Sequence, residues 1–258
     1  NRRSFLKNTA LAGAVLGFPP IIPASALGKD GTVAPSNRLQ LVGIGLKAQG
    51  GGVMRQLMSK KGVQVIAICD VDRRVLKSVS ENVVKKGLSA PNQYVDFREM
   101  LAKEKPDAAI HGLPDHWHGV ISCALLRAGI DVYGEKPLAK TWAEGKAITD
   151  AVKENGRVWQ TGMWQRSTPN FRRGVELVRN GMLGKIIKVE VGTGPNKHAM
   201  PPAPQPGEKA PAEVDYDMWV GPSADFAYDP RVFHFHWRWH MNFGGGQLLD
   251  LGLEFDVH

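Results

Sequence analysis

Gly134-Glu135-Lys136-Pro137-Leu138-Ala139 sets a lysine directly after an acid, at the end of a short apolar run. About 90 residues earlier stands a glycine-rich turn, Gly43-Ile44-Gly45-Leu46-Lys47-Ala48-Gln49-Gly50. The spacing Gly43-x-Gly45-x-x-Ala48 lets backbone approach a pyrophosphate, which then rests on a helix N-terminus. Alanine at the third position is a permitted variant, and as a bare motif the turn equally suits a βα corner without ligand. Asp70, 20 residues past Gly50, ends the next apolar run, where a carboxylate accepts hydrogen bonds from adenosine ribose hydroxyls. It would repel a 2′-phosphate and so favours NAD over NADP, although Arg73 and Arg74 pull the other way. Together with Glu135, a nicotinamide would set Lys136 to exchange a proton with a substrate hydroxyl.

Two further segments carry polar side chains that chemistry uses. Leu113-Pro114-Asp115-His116-Trp117-His118 falls at the end of another apolar run, where open α/β sheets bind ligands; Asp115 or His116 could also simply cap a helix. Pro114, His116, Trp117 and His118 are therefore candidates for cofactor contact. Phe233-His234-Phe235-His236-Trp237-Arg238-Trp239-His240 alternates with period two. That predicts a strand with His236 and Arg238 on a polar, substrate-facing side. Two histidines at i and i+2 can share a metal, but no Cys, Asp or Glu in the strand completes a set, and no metal is expected.

The elements that must position these groups alternate. Strands are predicted over 38–45, 62–70, 107–113, 130–135 and 158–161. Helices are predicted over 53–60, 72–86, 97–103, 116–128 and 141–155. Short strands alternating with helices imply parallel βαβ units and a doubly wound sheet. After Gly162 the texture changes to α+β: a helix over 169–180, an alternating strand over 185–191, a proline-rich loop over 194–213 and a helix starting at Gly246. The boundaries read 1–36, 37–161 and 162–258.

The chain has 258 residues, 43% of them hydrophobic, and a net charge of +8. The excess of basic residues forms no block and no aromatic-interleaved stripe, so nucleic acid is not an expected partner. Cys69 and Cys123 read as buried apolar residues and not as a disulfide. Asn1-Arg2-Arg3-Ser4-Phe5-Leu6-Lys7 has the pattern of a twin-arginine export signal. A weakly apolar run to Ile22 and Ala24-Ser25-Ala26 follow, as n-, h- and cleavage regions do. The run is too short to span a bilayer, and a periplasmic or exported protein is expected.

Taken together, the chain resembles the glucose-fructose oxidoreductase / inositol dehydrogenase / MocA (Gfo/Idh/MocA) family in its exported branch. The resemblance rests on the Arg2-Arg3 segment, the Gly43 turn, Pro114 to His118 and Glu135-Lys136-Pro137. It extends through Thr161-Gly162-Met163-Trp164-Gln165-Arg166, Asp217-Met218-Trp219-Val220-Gly221-Pro222, Trp237-Arg238-Trp239 and Gly244-Gly245-Gly246-Gln247-Leu248-Leu249-Asp250. It implies a Rossmann dinucleotide-binding domain followed by a C-terminal α/β domain with an open sheet that often mediates homo-oligomers. It implies NAD(P)-dependent oxidation or reduction at a carbinol of a sugar, inositol or related polyol, with a cofactor- or sugar-binding module without turnover and a glycosidase that uses tightly held NAD as the alternatives. By the same likeness Lys136 and Asp250 are catalytic, while Gln165 and Arg166 lie near nicotinamide and substrate. One departure is local: Glu254 stands where members carry a histidine, and on a helix it would share a face with Asp250 as a second acid. Members also run on past the position of His258 to complete the second sheet, so a truncated C-terminal domain is expected.

Overall fold

A computed structural model describes residues 24–29, 33–190, 192 and 208–251. The chain divides into two compact units, residues 1–38 and 39–258. Described parts of the first are two single 3-10 turns, Ala24–Leu27 and Pro35–Asn37. Residues 1–23 of the expected export segment lie outside the described residues. No helix among the described residues is long and apolar enough to cross a membrane.

The second unit is built on six parallel strands: β1 (Leu39–Ile44), β2 (Val63–Cys69), β3 (Asn92–Tyr94), β4 (Ala108–His111), β5 (Asp131–Glu135) and β6 (Trp159–Gly162). Their order is β3-β2-β1-β4-β5-β6, the Rossmann order, with the switch point between β1 and β4. The connecting helices are α1 (Gln49–Leu57), α2 (Arg73–Lys85), α3 (Phe97–Lys103), α4 (Asp115–Arg127) and α5 (Trp142–Asn155). Because side chains alternate along a strand, each strand feeds two cores. Val42, Ala67, Ala109 and Val132 join α3, α4 and α5 in one cluster. Their neighbours Leu41, Ile68 and Ile110 join α1 and α2 in the other. Fully burying a side chain such as Leu125 or Ile68 stabilises by about 1.5–3 kcal/mol.

Local chemistry sets the helix starts. The Asp72 and Asp96 side chains accept the N–H groups of Arg74 and Arg98. Thr141 and Glu144 form a reciprocal capping box, as predicted for Ser/Thr-x-x-Glu. Helix α1 differs: Ala48 supplies no side-chain cap, so its first amides stay available to a ligand. It also begins earlier than the predicted 53, running through Gly50-Gly51-Gly52 against propensity.

Beyond β6 come a 3-10 turn (Trp164–Ser167) and helices α6 (Pro169–Arg179), α7 (Tyr216–Val220) and α8 (Gly246–Leu251). Two predicted strands are corrected here. Residues 185–190 form no strand, and Ile187 is 93% exposed. Alternation alone makes no strand without a neighbour to complete the ladder, and Val191 lies outside the described residues. Residues 233–239 are a turn followed by a 3-10 helix, His236–Trp239. There the Asp229 carbonyl accepts the N–H groups of Val232 and Phe233, and Val232 accepts Trp237 N–H. The coil buries Phe233 and Trp237, four apart, and leaves Phe235 46% exposed. Most of the proline-rich 194–213 stretch is outside the described residues.

Residues 213–243 pack as an aromatic cluster of Trp219, Phe233, Trp237 and Phe243. Backbone bonds seam this cluster to the Rossmann unit: Arg73 N–H donates to Glu213, Asp215 N–H to Val71 and His116 N–H to Phe243.

Candidate functional site

A cleft of about 370 Å³ opens at the C-terminal ends of β1 and β4, where the topology predicts a ligand. Gly45, Lys47, Ala48 and Gln49 line one side; Gly112, Leu113, Pro114 and Trp117 line another. The turn admits no side chain at Gly50 or Gly45. A Cβ on Gly50 would lie 2.0 Å from the Gly45 carbonyl oxygen, and one on Gly45 would lie 2.8 Å from that of Gly112. Gly45 also has φ 68°. This glycine cradle, with the uncapped N-terminus of α1, fits a dinucleotide pyrophosphate. Gly43 and Gly50 themselves do not line the cleft. A Cβ on Gly43 would meet Met54, so these two glycines act by letting α1 close onto the sheet.

Asp70 lines the cleft, yet its carboxylate is already engaged. Leu46 N–H donates to Oδ2 at 2.8 Å and Asp72 N–H to Oδ1 at 3.0 Å. Each oxygen keeps one lone pair for a ribose hydroxyl. Burial lifts its carboxyl to about 6, with the two amides working against the rise. Next to it Asp72, 2% exposed, accepts Arg74 Nε, Arg74 Nη2 and His234 Nε2. Burial opposes its charge, but the hydrogen bonds from Arg74 and His234 hold it well below the usual carboxylate range. Arg74 is thus turned to Asp72.

At the other end Lys136 Nζ donates to Asp250 Oδ1 at 3.0 Å and to the Asp250 carbonyl at 2.5 Å. Both side chains are largely buried and both line the cleft. Arg238 Nε lies 3.5 Å from the same carboxylate oxygen, with its guanidinium over the Trp237 and Phe235 rings. Glu135, buried, accepts Gln49 Nε2 at 3.3 Å, linking the lysine strand to the glycine turn. Asp115 accepts Gly245 N–H at 3.3 Å. Burial pushes its carboxyl up to about 7, Asp250 adding to the rise while Gly245, Arg238 and Lys136 oppose it.

Several sequence candidates sit elsewhere. His116 and His118 are buried in α4 and do not line the cleft. His116 Nε2 meets the Trp219 carbonyl at 2.9 Å, and His118 lies between the carbonyls of Pro137 and Leu113. A histidine in the first turn of a helix is as well placed to tie two loops together as to reach a ligand. Gln165, Arg166 and His236 are not among the lining residues either; Trp164 and Arg238 take those places. Glu254 lies outside the described residues. Sequence reading passed over His234, Phe235 and Trp164 as cleft residues. His234 had a visible signal: the period-two reading put it on the same polar, substrate-facing side as His236 and Arg238, but only those two were singled out.

Two family models match the chain: "Oxidoreductase family, NAD-binding Rossmann fold" over residues 38–163, and "Oxidoreductase family, C-terminal alpha/beta domain" over residues 170–256. A glycosyl hydrolase family 109 protein of Shewanella pealeana is 29% identical over 209 residues, covering 74% of this chain and 45% of the relative. The crystal structure of myo-inositol 2-dehydrogenase from Lactobacillus plantarum is similar at 28% identity and TM-score 0.52, over 58% of this chain and 43% of that one. The WlbA dehydrogenase of Bordetella pertussis, solved with NADH and UDP-GlcNAcA, shares the fold at 19% identity and TM-score 0.52, over 57% of this chain and 43% of that one. The chain spans less than half the length of these relatives. With a six-stranded sheet in Rossmann order, a glycine cradle and both family models matched in sequence, the chain belongs to the Gfo/Idh/MocA oxidoreductase family.

Proposed function

We propose that this chain carries the cofactor domain and reaction centre of an NAD-dependent dehydrogenase acting on a carbinol of a sugar, inositol or related polyol. The observation that carries the reading is the Lys136–Asp250 pair at 3.0 Å, in one cleft with the glycine turn and Asp70. When bound, NAD supplies a hydride acceptor. Gly45, Ala48 and the first amides of α1 would hold its pyrophosphate, and Asp70 its adenosine ribose. Lys136 Nζ takes the proton of the substrate hydroxyl, and Asp250 orients the ammonium and balances its charge. Trp164 and Phe235, both partly exposed in the cleft, offer apolar faces to a sugar ring, and closing them over it would exclude water. The myo-inositol 2-dehydrogenase likeness supports a polyol substrate.

The test is turnover by the purified protein. NADH should appear with some member of a sugar and inositol panel, and Lys136→Ala should lose at least a hundredfold in rate, the usual size of a lost proton-transfer group. An intact Lys136→Ala rate refutes the assignment. A second reading follows from the family 109 relatives: a glycosidase that uses tightly held NAD without net turnover. Release of the leaving group from an aryl glycoside with no net NADH would decide for it.

A further inference from the structure

Among the described residues, the non-glycine residues with positive φ are Ala48 at 51° and His234 at 72°, and both line this cleft. Ala48 belongs to the cradle already described. His234 comes from the distant aromatic segment, and holding it left-handed costs about 1 kcal/mol or more that the surroundings must offset. Its imidazole Nε2 lies 2.9 Å from Asp72 Oδ2. Asp72 is buried and anionic and can only accept, so Nε2 carries the hydrogen. Burial pushes the imidazole down to about 4, Asp72 opposing the shift, so the neutral ring donates. From Asp72 the chain of contacts continues through its own N–H to Asp70 Oδ1, and from Asp70 Oδ2 to Leu46 N–H in the glycine turn.

We infer that His234 is a positioning residue for the adenosine end of the cofactor, holding Asp72 and through it the Asp70 carboxylate in the place that receives the ribose. The inference rests on the dehydrogenase reading above and deepens it. The seam at Val71 and Arg73 docks the same loop through backbone alone; His234 adds a side chain whose loss leaves that seam intact. Without the imidazole, Asp72 keeps Arg74 and its backbone bridge to Val214 but loses its side-chain tie to the C-terminal segment. The Asp72 side chain, whose residue supplies the amide that holds Asp70, is then anchored by Arg74 alone.

The experiment titrates NADH and NADPH by fluorescence into wild type, His234→Gly and His234→Gln, with melting temperatures alongside. Glycine removes the hydrogen bond and the strain together, so loss of binding is not an effect of a forced backbone. His234→Gly should bind NADH about tenfold more weakly and show a smaller preference for NADH over NADPH. The glutamine amide has the reach to donate to Asp72 and should recover most of both. A merely structural clip would lower the melting temperature and weaken both dinucleotides equally, leaving the preference unchanged. That outcome, an NADH affinity within twofold of wild type, or a glutamine variant no better than glycine, overturns the inference. Wild-type protein that binds neither dinucleotide removes the cofactor reading itself, a failure distinct from an altered or unaltered His234 variant.

Discussion

Cofactor choice and stability pull Asp70 in opposite directions, and Asp70→Asn separates them. Burial is the largest influence on its carboxyl; the amides of Asp72 and Leu46 favour the ionised form and limit the rise, to about 6 from 3.8. At about 1.4 kcal/mol for each unit, the ionised group costs the folded chain on the order of 3 kcal/mol. The folded value lies above the unfolded one. The stabilising contribution is therefore complete below pH 3.8 and is lost as pH rises through about 6. Asparagine has no charge to desolvate, but its single oxygen accepts only one of the two amides, and leaving the other unpaired costs about 1–3 kcal/mol at every pH. Against that offset the variant should gain about 2–3 kcal/mol on wild type between pH 4 and pH 8, roughly 5–10 °C in melting temperature for a unit of this size. Wild type should prefer NADH to NADPH at least tenfold, about 1.4 kcal/mol, because Asp70 would face the 2′-phosphate. In the variant that preference should shrink toward parity. Thermal unfolding at the two pH values and fluorescence titration with both dinucleotides measure these effects. A difference between variant and wild type that does not change from pH 4 to pH 8 would show that Asp70 does not carry the raised value. An unchanged preference would show that the charge of Asp70 does not read the ribose.

Gly50→Ala places a Cβ 2.0 Å from the Gly45 carbonyl oxygen and 3.3 Å from Gly112 Cα. Backbone cannot yield to it cheaply, so NADH affinity should fall more than tenfold and stability by about 1–3 kcal/mol; wild-type affinity would show that α1 simply shifts. His116 tests the opposite sign of pH dependence. Burial pushes its imidazole from 6.5 down to about 4, the Trp219 carbonyl resisting. Its contribution is full above pH 6.5 and is lost as pH falls toward about 4, by about 1.4 kcal/mol per unit. His116→Gln should flatten that acid slope in a melting-temperature series, and an unaltered slope would refute the assignment.

Most of the Rossmann unit was legible because each core strand is a short apolar run between a glycine or acid and a helix cap. The spans predicted for β1, β2, β4, β5 and β6 fall within three residues of the observed ends. β3 was missed because Asn92-Gln93-Tyr94 is a three-residue edge strand with no alternation. It exists because Asn92 to Tyr94 pair with Ala67 to Cys69, a neighbour no local pattern announces. Helix α7 was missed for a related reason. Its five residues are too few for periodicity, although the Asp215 cap that starts it was in plain view. The two false strands failed the other way: their alternation was real, but one has no partner among the described residues and the other is coiled by hydrogen bonds to Asp229.

The site divides along the same line. Gly45, Asp70 and Lys136 were legible because a parallel sheet delivers the residue after each strand to one edge, so position in sequence becomes position in space. Asp250 came from resemblance, and its contact with Lys136 crosses 114 residues of sequence. His234 illustrates what pattern cannot reach. A period-two reading puts it on a face with His236 and Arg238. The coil set by Asp229 instead turns His234 and Arg238 into the cleft and His236 out of it. Its partner Asp72 lies 162 residues away and reads locally as nothing more than a helix cap. That cap does two jobs, holding the Arg74 amide for α2 and receiving His234 for the cleft. The substitution that best exposes the second job therefore belongs on the histidine, since any change at Asp72 would also unwind the start of α2.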